Sequence, residues 1–286
     1  MITIIGKSGQ LASELQESLS SFEKRALGRH DIDLMSHGAI ATALDSHKPA
    51  AIINASAYTA VDKAEYEKEA AYALNSTAVK NLGEYCASRN IHLVQVSTDY
   101  VFNGTHSSPI STEAPRQPLG VYGASKAAGE EALEHIEALS YCIIRTAWVY
   151  SVFGNNFVHT MLRLMAEKPQ LRVVADQIGS PTWAKGLAAA CIFAAERKVS
   201  GIHHWTDLGI ASWYDFALAI QRIGVKQGLL NTAIPIQPIT TADFPTPAAR
   251  PAYSVLDKQS LTKVFAELPQ DHWENQLEKM MTDLVK

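Results

Sequence analysis

Cysteine is scarce in this 286-residue chain, and its three copies, Cys86, Cys142 and Cys191, stand far apart in apolar surroundings. An odd count with no Cys-x-x-Cys spacing excludes a disulfide framework and a thiolate zinc cage, and reads as small reduced core residues. Long apolar runs are lacking as well. No stretch approaches the ~20 residues that cross a bilayer, and the apolar start ends at Gly6, too early for a secretory h-region. Nor does charge of one sign accumulate: 25 Lys and Arg stand against 29 Asp and Glu, a net charge of -4. That balance offers no field for nucleic acid or an anionic membrane, while an anionic small molecule needs only a few local donors. Repeats and low-complexity segments are absent. What remains, 47% hydrophobic and 19% charged, is the composition of an ordinary globular protein. The expectation is a cytoplasmic protein with one large α/β domain or two modest ones.

The chain then reads as alternating strands and helices. Residues 1–5 form a short apolar run of the kind buried inside a parallel sheet. It enters Gly6-Lys7-Ser8-Gly9-Gln10-Leu11-Ala12, after which Leu11, Leu15 and Leu19 recur at helical spacing. A glycine turn between strand and helix lets the backbone approach a phosphate, and the free amides of the helix start favour an anion. The same turn also occurs as a purely structural device. Further strands are expected at 23–27, 50–55, 92–97 and 141–146, with helices at 39–44, 67–89 and 121–139. This alternation predicts an α/β doubly wound parallel sheet of the Rossmann type, with a smaller, sequence-interleaved α/β substrate domain. Residues 1–152 would form the dinucleotide-binding domain, with segments near 176–206 returning to it, and 153–286 mainly the substrate-binding domain. Arg29 follows the second strand, where an arginine suits a 2′-phosphate and an acidic residue would suit ribose hydroxyls. It equally suits a solvated surface.

Tyr122 and Lys126 sit four residues apart at the start of a predicted helix, and so share one face. A cation near a phenol favours the phenolate, and such a tyrosine can hand a proton to a carbonyl being reduced. Ten tyrosines supply roughly half a Tyr-x-x-x-Lys match by accident, so position has to decide. Thr98, at the carboxyl end of a strand where catalytic groups of open α/β sheets collect, can hydrogen-bond the same carbonyl. In the second half, His203-His204 invites a metal reading, but adjacent strand residues point to opposite faces and no ligand cluster surrounds them. Arg250, in a Pro-rich loop, can pair with a substrate diphosphate or order its own loop through a salt bridge.

Several stretches agree in order and spacing with one family: Gly6 to Leu11; Asn54-Ala55-Ser56-Ala57-Tyr58-Thr59-Ala60-Val61-Asp62-Lys63-Ala64-Glu65; Ser97-Thr98-Asp99-Tyr100-Val101-Phe102-Asn103-Gly104; Tyr122 to Lys126; Arg145-Thr146-Ala147-Trp148; Asp176 to Thr182; and Arg250-Pro251. Over nearly its whole length the chain resembles the extended short-chain dehydrogenase/reductases. The resemblance implies an NAD(P)H-dependent reduction of a nucleotide-sugar ketone, with NADPH, or alternatively NADH, as cofactor. It implies Thr98, Tyr122 and Lys126 as the catalytic set. Gly6, Gly9, Gln10 and Leu11 would meet the pyrophosphate, and Ser56, Ala57 and Tyr58 the adenosine and ribose. Thr98, Asp99 and Trp148 would meet the sugar. Ala12 replaces a family glycine. Some members bind magnesium through acidic residues at a dimer contact; Glu14 is present, but Lys185 stands where another acid is expected, so a magnesium-bridged homodimer is not implied and no metal residues are assigned. A different sugar-nucleotide reductase or epimerase, or a noncatalytic dinucleotide-binding regulatory subunit, stays open as the alternative.

Overall fold

Six parallel strands form the central sheet of the computed structural model, which describes residues 1–19 and 24–285. They are β1 (Ile2–Ile5), β2 (Lys24–Leu27), β3 (Ala51–Asn54), β4 (His92–Thr98), β5 (Tyr141–Thr146) and β6 (Gly201–His204). Their spatial order is β6-β5-β4-β3-β1-β2, parallel at every pairing. Glu23, the expected start of the second strand, lies outside the described residues. Period-two alternation divides the strands between two cores. Ile4, Ile53, Val94 and Ile144 pack with Leu11 and Leu15 of α1 (Gln10–Ser18) and with Leu187, Cys191 and Ala194 of α3 (Ala184–Arg197), using α2 for the helix Val121–Glu134. Ile5, Ile52, Leu93 and Ile143 pack on the other face with Leu82, Cys86 and Leu133. Burial on both faces is why these strands read as continuous apolar runs.

The order reverses between β1 and β3, and a crevice opens at the carboxyl ends of the strands beside that point, the usual ligand position in open α/β sheets. One expected helix departs from expectation. The stretch 67–89 is a short helix Lys68–Tyr72, a π-helical turn Ala73–Thr77 and a helix Ala78–Arg89. The wide turn surrounds Asn75, whose side chain is spent on Tyr58 and Ser125. Tertiary hydrogen bonds therefore distort a helix that periodicity alone would leave regular, as π-turns at functional sites often do. The helix expected over 121–139 stops at Glu134, and the chain turns through His135.

A third core lies in the second half of the chain. Helices Phe157–Glu167, Trp213–Lys226 and Trp273–Asp283 bury Met161, Met165, Phe216, Ile220, Leu277 and Met280 together. A two-stranded parallel pair, Leu171–Val174 with Ile236–Ile239, flanks them. Among the described residues no helix is long and apolar enough to cross a membrane.

Candidate active site

The glycine turn after β1 is shaped by close backbone approach. Gly6 takes φ +111°, and a side chain there would press on Ala55 and Ser56 at 3.2 and 3.3 Å. Gly9 precedes α1 with no side-chain cap, and a Cβ built on it meets nothing within 4 Å. The first-turn amides of α1 thus lack the side-chain acceptor that normally satisfies them, and the space in front of them is open. Free amides at a helix start favour an anion. Ala12, in place of a glycine, is simply buried against the sheet.

A cleft of about 360 Å³ runs from this turn across the strand ends. Gly9, Gln10, Leu11, Ser56 and Ala57 line it together with Thr98, Tyr122, Lys126 and Trp148. Thr98 closes β4; its hydroxyl accepts from the Tyr100 amide at 3.2 Å and donates to Asp99 Oδ1 at 3.0 Å. Asp99 is 1% exposed, and burial pushes its carboxyl up to about 6 against the hydroxyls of Ser254 and Thr98. Burial also pushes the Tyr122 phenol up to about 12, opposed by a hydrogen bond with Thr98. The expectation that Lys126 would draw the phenol toward phenolate is therefore not what the geometry produces. The Lys126 ammonium donates to the Val96 carbonyl at 2.6 Å, and burial lowers it to about 8, opposed by the charge of Glu130. At neutral pH the site holds a protonated phenol beside an ammonium.

Residues without an obvious motif position this pair. The Val121 amide, at the start of α2, donates to Glu65 Oε1 at 2.9 Å. Asn75 accepts the Tyr58 amide at 2.8 Å and donates to the Ser125 hydroxyl at 3.0 Å, which in turn donates to the Tyr122 carbonyl at 2.8 Å. Under the cleft floor, Asn54 Nδ2 donates to Gln95 Oε1 at 2.8 Å, while its Oδ1 accepts the Ser56 hydroxyl at 2.6 Å. Polar Asn54 ending an apolar strand and Asn75 on an apolar helix face were the available signals; Glu65 carried none beyond its place in the quoted stretch.

Other expected site residues lie elsewhere. Gly6 shapes the turn without lining the cleft. The Tyr58 hydroxyl donates to Glu67 at 2.5 Å, and its ring does not line the cleft. Arg29 is exposed beyond the end of β2, near Asp31, which accepts the Gly28 amide at 2.8 Å and pairs with Lys7 at 3.4 Å. Trp148 takes φ +48° and stacks on Trp213 at 3.6 Å and 7°. The tight fit leaves no room for a Cβ at Gly179. Arg250 belongs to a second cavity of about 430 Å³, lined by the Trp213 that stacks on Trp148 of the cleft. Its guanidinium grips both oxygens of Asp62 at 3.0 and 2.8 Å and donates to Thr246 and to the Ala248 carbonyl. Loop ordering is thus the arrangement observed.

Among the described residues, no group of three or more His, Cys, Asp or Glu side chains is disposed to hold a metal ion. Glu14 is buried, accepting the Ser151 hydroxyl at 2.7 Å and the Trp183 indole at 3.2 Å. Lys185 pairs with Asp283 at 3.6 Å.

The family described as RmlD substrate binding domain matches residues 1–286. A dTDP-4-dehydrorhamnose reductase of Aggregatibacter actinomycetemcomitans is 41% identical, over 98% of this chain and 97% of the relative. The crystal structure of a dTDP-4-dehydrorhamnose reductase from Clostridium acetobutylicum superposes with a TM-score of 0.91 at 36% identity, covering 100% of this chain and 99% of that one. One from Bacillus anthracis, solved in complex with NADP, has a TM-score of 0.91 at 33% identity, covering 99% and 98%. With a full-length family match and relatives of this identity, the chain belongs to the RmlD family of dTDP-4-dehydrorhamnose reductases.

Proposed function

We propose that this protein reduces dTDP-4-dehydro-β-L-rhamnose to dTDP-L-rhamnose with NADPH, the closing step of a route to a sugar donor for cell-surface polysaccharide. The observation that carries the reading is the meeting of Thr98, Tyr122 and Lys126 in one cleft with the uncapped start of α1. The amides of Gly9, Gln10 and Leu11 would hold a pyrophosphate, and Ser56 and Ala57 the adenosine side. Bound here, the reduced nicotinamide would supply the hydride that turns the C4 ketone into an alkoxide. Tyr122 gives its phenolic proton to that oxygen. A phenol is a far stronger acid than a sugar alcohol, so the transfer runs downhill even with the phenol raised to about 12. Thr98, its hydroxyl proton turning from Asp99 Oδ1 to the ketone, donates to the same oxygen before transfer and orients Tyr122. Lys126 is a fixed ammonium that holds the nicotinamide ribose and stabilises the phenolate left behind. Trp148 and Asp99 orient the sugar, residues 153–286 supplying most of the substrate half. Arg250 acts through the loop that it ties to Asp62.

Arg29, with Lys7, is the cationic end of the adenosine side, because Asp31 is already committed to Lys7 and the Gly28 amide. Arg29→Ala is expected to raise KM for NADPH about tenfold, one charge-assisted contact of ~1.4 kcal/mol, and to leave KM for NADH nearly unchanged. Equal effects on both cofactors would refute a 2′-phosphate role. The main test is NADPH consumption with dTDP-4-dehydrorhamnose beside other dehydro-sugar nucleotides. Stoichiometric oxidation with formation of dTDP-rhamnose supports the reductase; epimerisation without net oxidation, or no turnover together with stable co-purification of an enzyme partner, would support the alternatives instead.

A further inference from the structure

Behind Lys126, α2 carries buried charge. Tyr122, Lys126, Glu130 and Glu134 recur every four residues and so form one stripe, from the cleft through buried Lys126 and Glu130 to Glu134 at the surface. Lys126 is 5% exposed and Glu130 only 1%. Arg145 of β5 donates to Glu130 through Nε at 3.0 and 3.2 Å and through Nη2 at 2.6 Å. Arg116 donates through Nη1 at 3.1 Å and reaches on to Glu134 through Nη2 at 2.5 Å. Arg145 also donates to the Thr112 carbonyl at 3.1 Å and lies over the Phe102 ring at 5.1 Å. Well-packed apolar residues can often replace a buried ion pair without loss of stability. This pair, held by many contacts, lies on the helix of the proposed proton donor.

The groups facing Lys126 narrow that use. Its own helix brings Tyr122 and Glu130. Strand β4 brings the Val96 carbonyl, Ser97 and Thr98, with Asp99 next in the chain. Strand β5 brings Thr146 and, across Glu130, Arg145; the loop before α2 brings Arg116. Glu130 is the negative charge among these that acts on the Lys126 ammonium, against the burial that drives its proton off.

We propose that Glu130 is a positioning residue for the reaction: paired with Arg145 and Arg116 one turn behind Lys126, it holds that side chain as a charged donor between the Val96 carbonyl and the cleft. The inference rests on the reading of Lys126 as part of a reductase site, and its test separates the two. Lysine ¹³Cε resonances, with Lys126 identified by its loss in Lys126→Met, follow the ammonium directly in the cofactor-free protein. Its midpoint is expected near 8 in the wild type. Glu130→Gln should lower the midpoint by about one unit and Arg116→Gln, which removes a positive charge, should raise it by a few tenths of a unit. Glu130→Asp, which keeps the charge, should restore most of the wild-type value. The alkaline limb of kcat/KM for NADPH oxidation should move in the same directions.

Arg116 sits nearer the surface, at 24% side-chain exposure. If Glu130→Gln does not fold, Arg116→Gln decides alone. An unmoved Lys126 midpoint in folded variants overturns the proposal. So does a midpoint that moves while the alkaline limb stays put. Absence of turnover in the wild type would instead refute the reductase reading, and the resonances would still decide what holds Lys126.

Discussion

Tyr122→Phe should lower kcat by about 10²–10⁴-fold, the usual worth of a positioned general acid, while cofactor affinity changes by no more than a few fold. The substitution keeps the ring, and with it the edge-to-face contact with Tyr100 at 5.5 Å between centroids. Only the hydroxyl and its hydrogen bond with Thr98 are lost. Little stability should be lost, because α2 is anchored through Glu65, Asn75 and Ser125 rather than through the phenol. Steady-state kinetics with NADPH, beside fluorescence titration of cofactor binding, separate the two effects. Turnover within tenfold of the wild type would remove Tyr122 as the proton donor. The pH dependence has a definite sign. The phenol stays protonated through about 12 and Lys126 stays charged only below about 8, so the first alkaline loss of activity belongs to Lys126 in the free enzyme.

Gly123→Ala carries the second large effect, and it reaches the chemistry through packing. A Cβ at this position would overlap the Tyr100 carbonyl oxygen, with Pro118 Cβ and the Tyr100 carbonyl carbon each at 3.0 Å. Backbone atoms cannot swing aside as a flexible side chain can, so α2 or the turn after Thr98 must shift. Overpacking of this kind costs about 1–3 kcal/mol, read as a lower urea midpoint. The displaced residue adjoins Tyr122, and a misplacement of about 1 Å costs on the order of 10²-fold in rate. Loss of rate should therefore exceed what the stability change alone would cause at temperatures where the variant is fully folded. A variant as stable and as active as the wild type would show that the contact between Tyr100 and α2 does not set the position of Tyr122.

The fold class was legible because a parallel sheet covered on both faces needs apolar strands, and residues 1–5, 50–55, 92–97 and 141–146 are such strands. The glycine turn and the shared cleft of Thr98, Tyr122 and Lys126 were open to a similar reading: each depends on local spacing, a turn or hydroxyl at a strand end or two side chains four apart on a helix. Tyr58 and Arg250 were harder. Each has a side chain suited to a ligand, and in the structure each is bonded to a carboxylate, Glu67 nine residues on in one case and Asp62 in the other. For Arg250 a salt bridge ordering its loop was one of two readings open from the sequence, whereas no local pattern reports the partner of Tyr58.

What the sequence determined by itself, then, was the alternation of elements and the residue types brought to the strand ends, since both follow from short-range periodicity. The tertiary structure decided their chemical state. Whether the Tyr122 phenol is raised or lowered depends on a competition between burial and the charges around it, and burial prevails once Lys126 turns to the Val96 carbonyl and Glu130 to Arg145. The sheet and loops bring those partners together across separations of 15 to 30 residues, and three-dimensional distance, which sets the strength of each interaction, is not written in the order of residues.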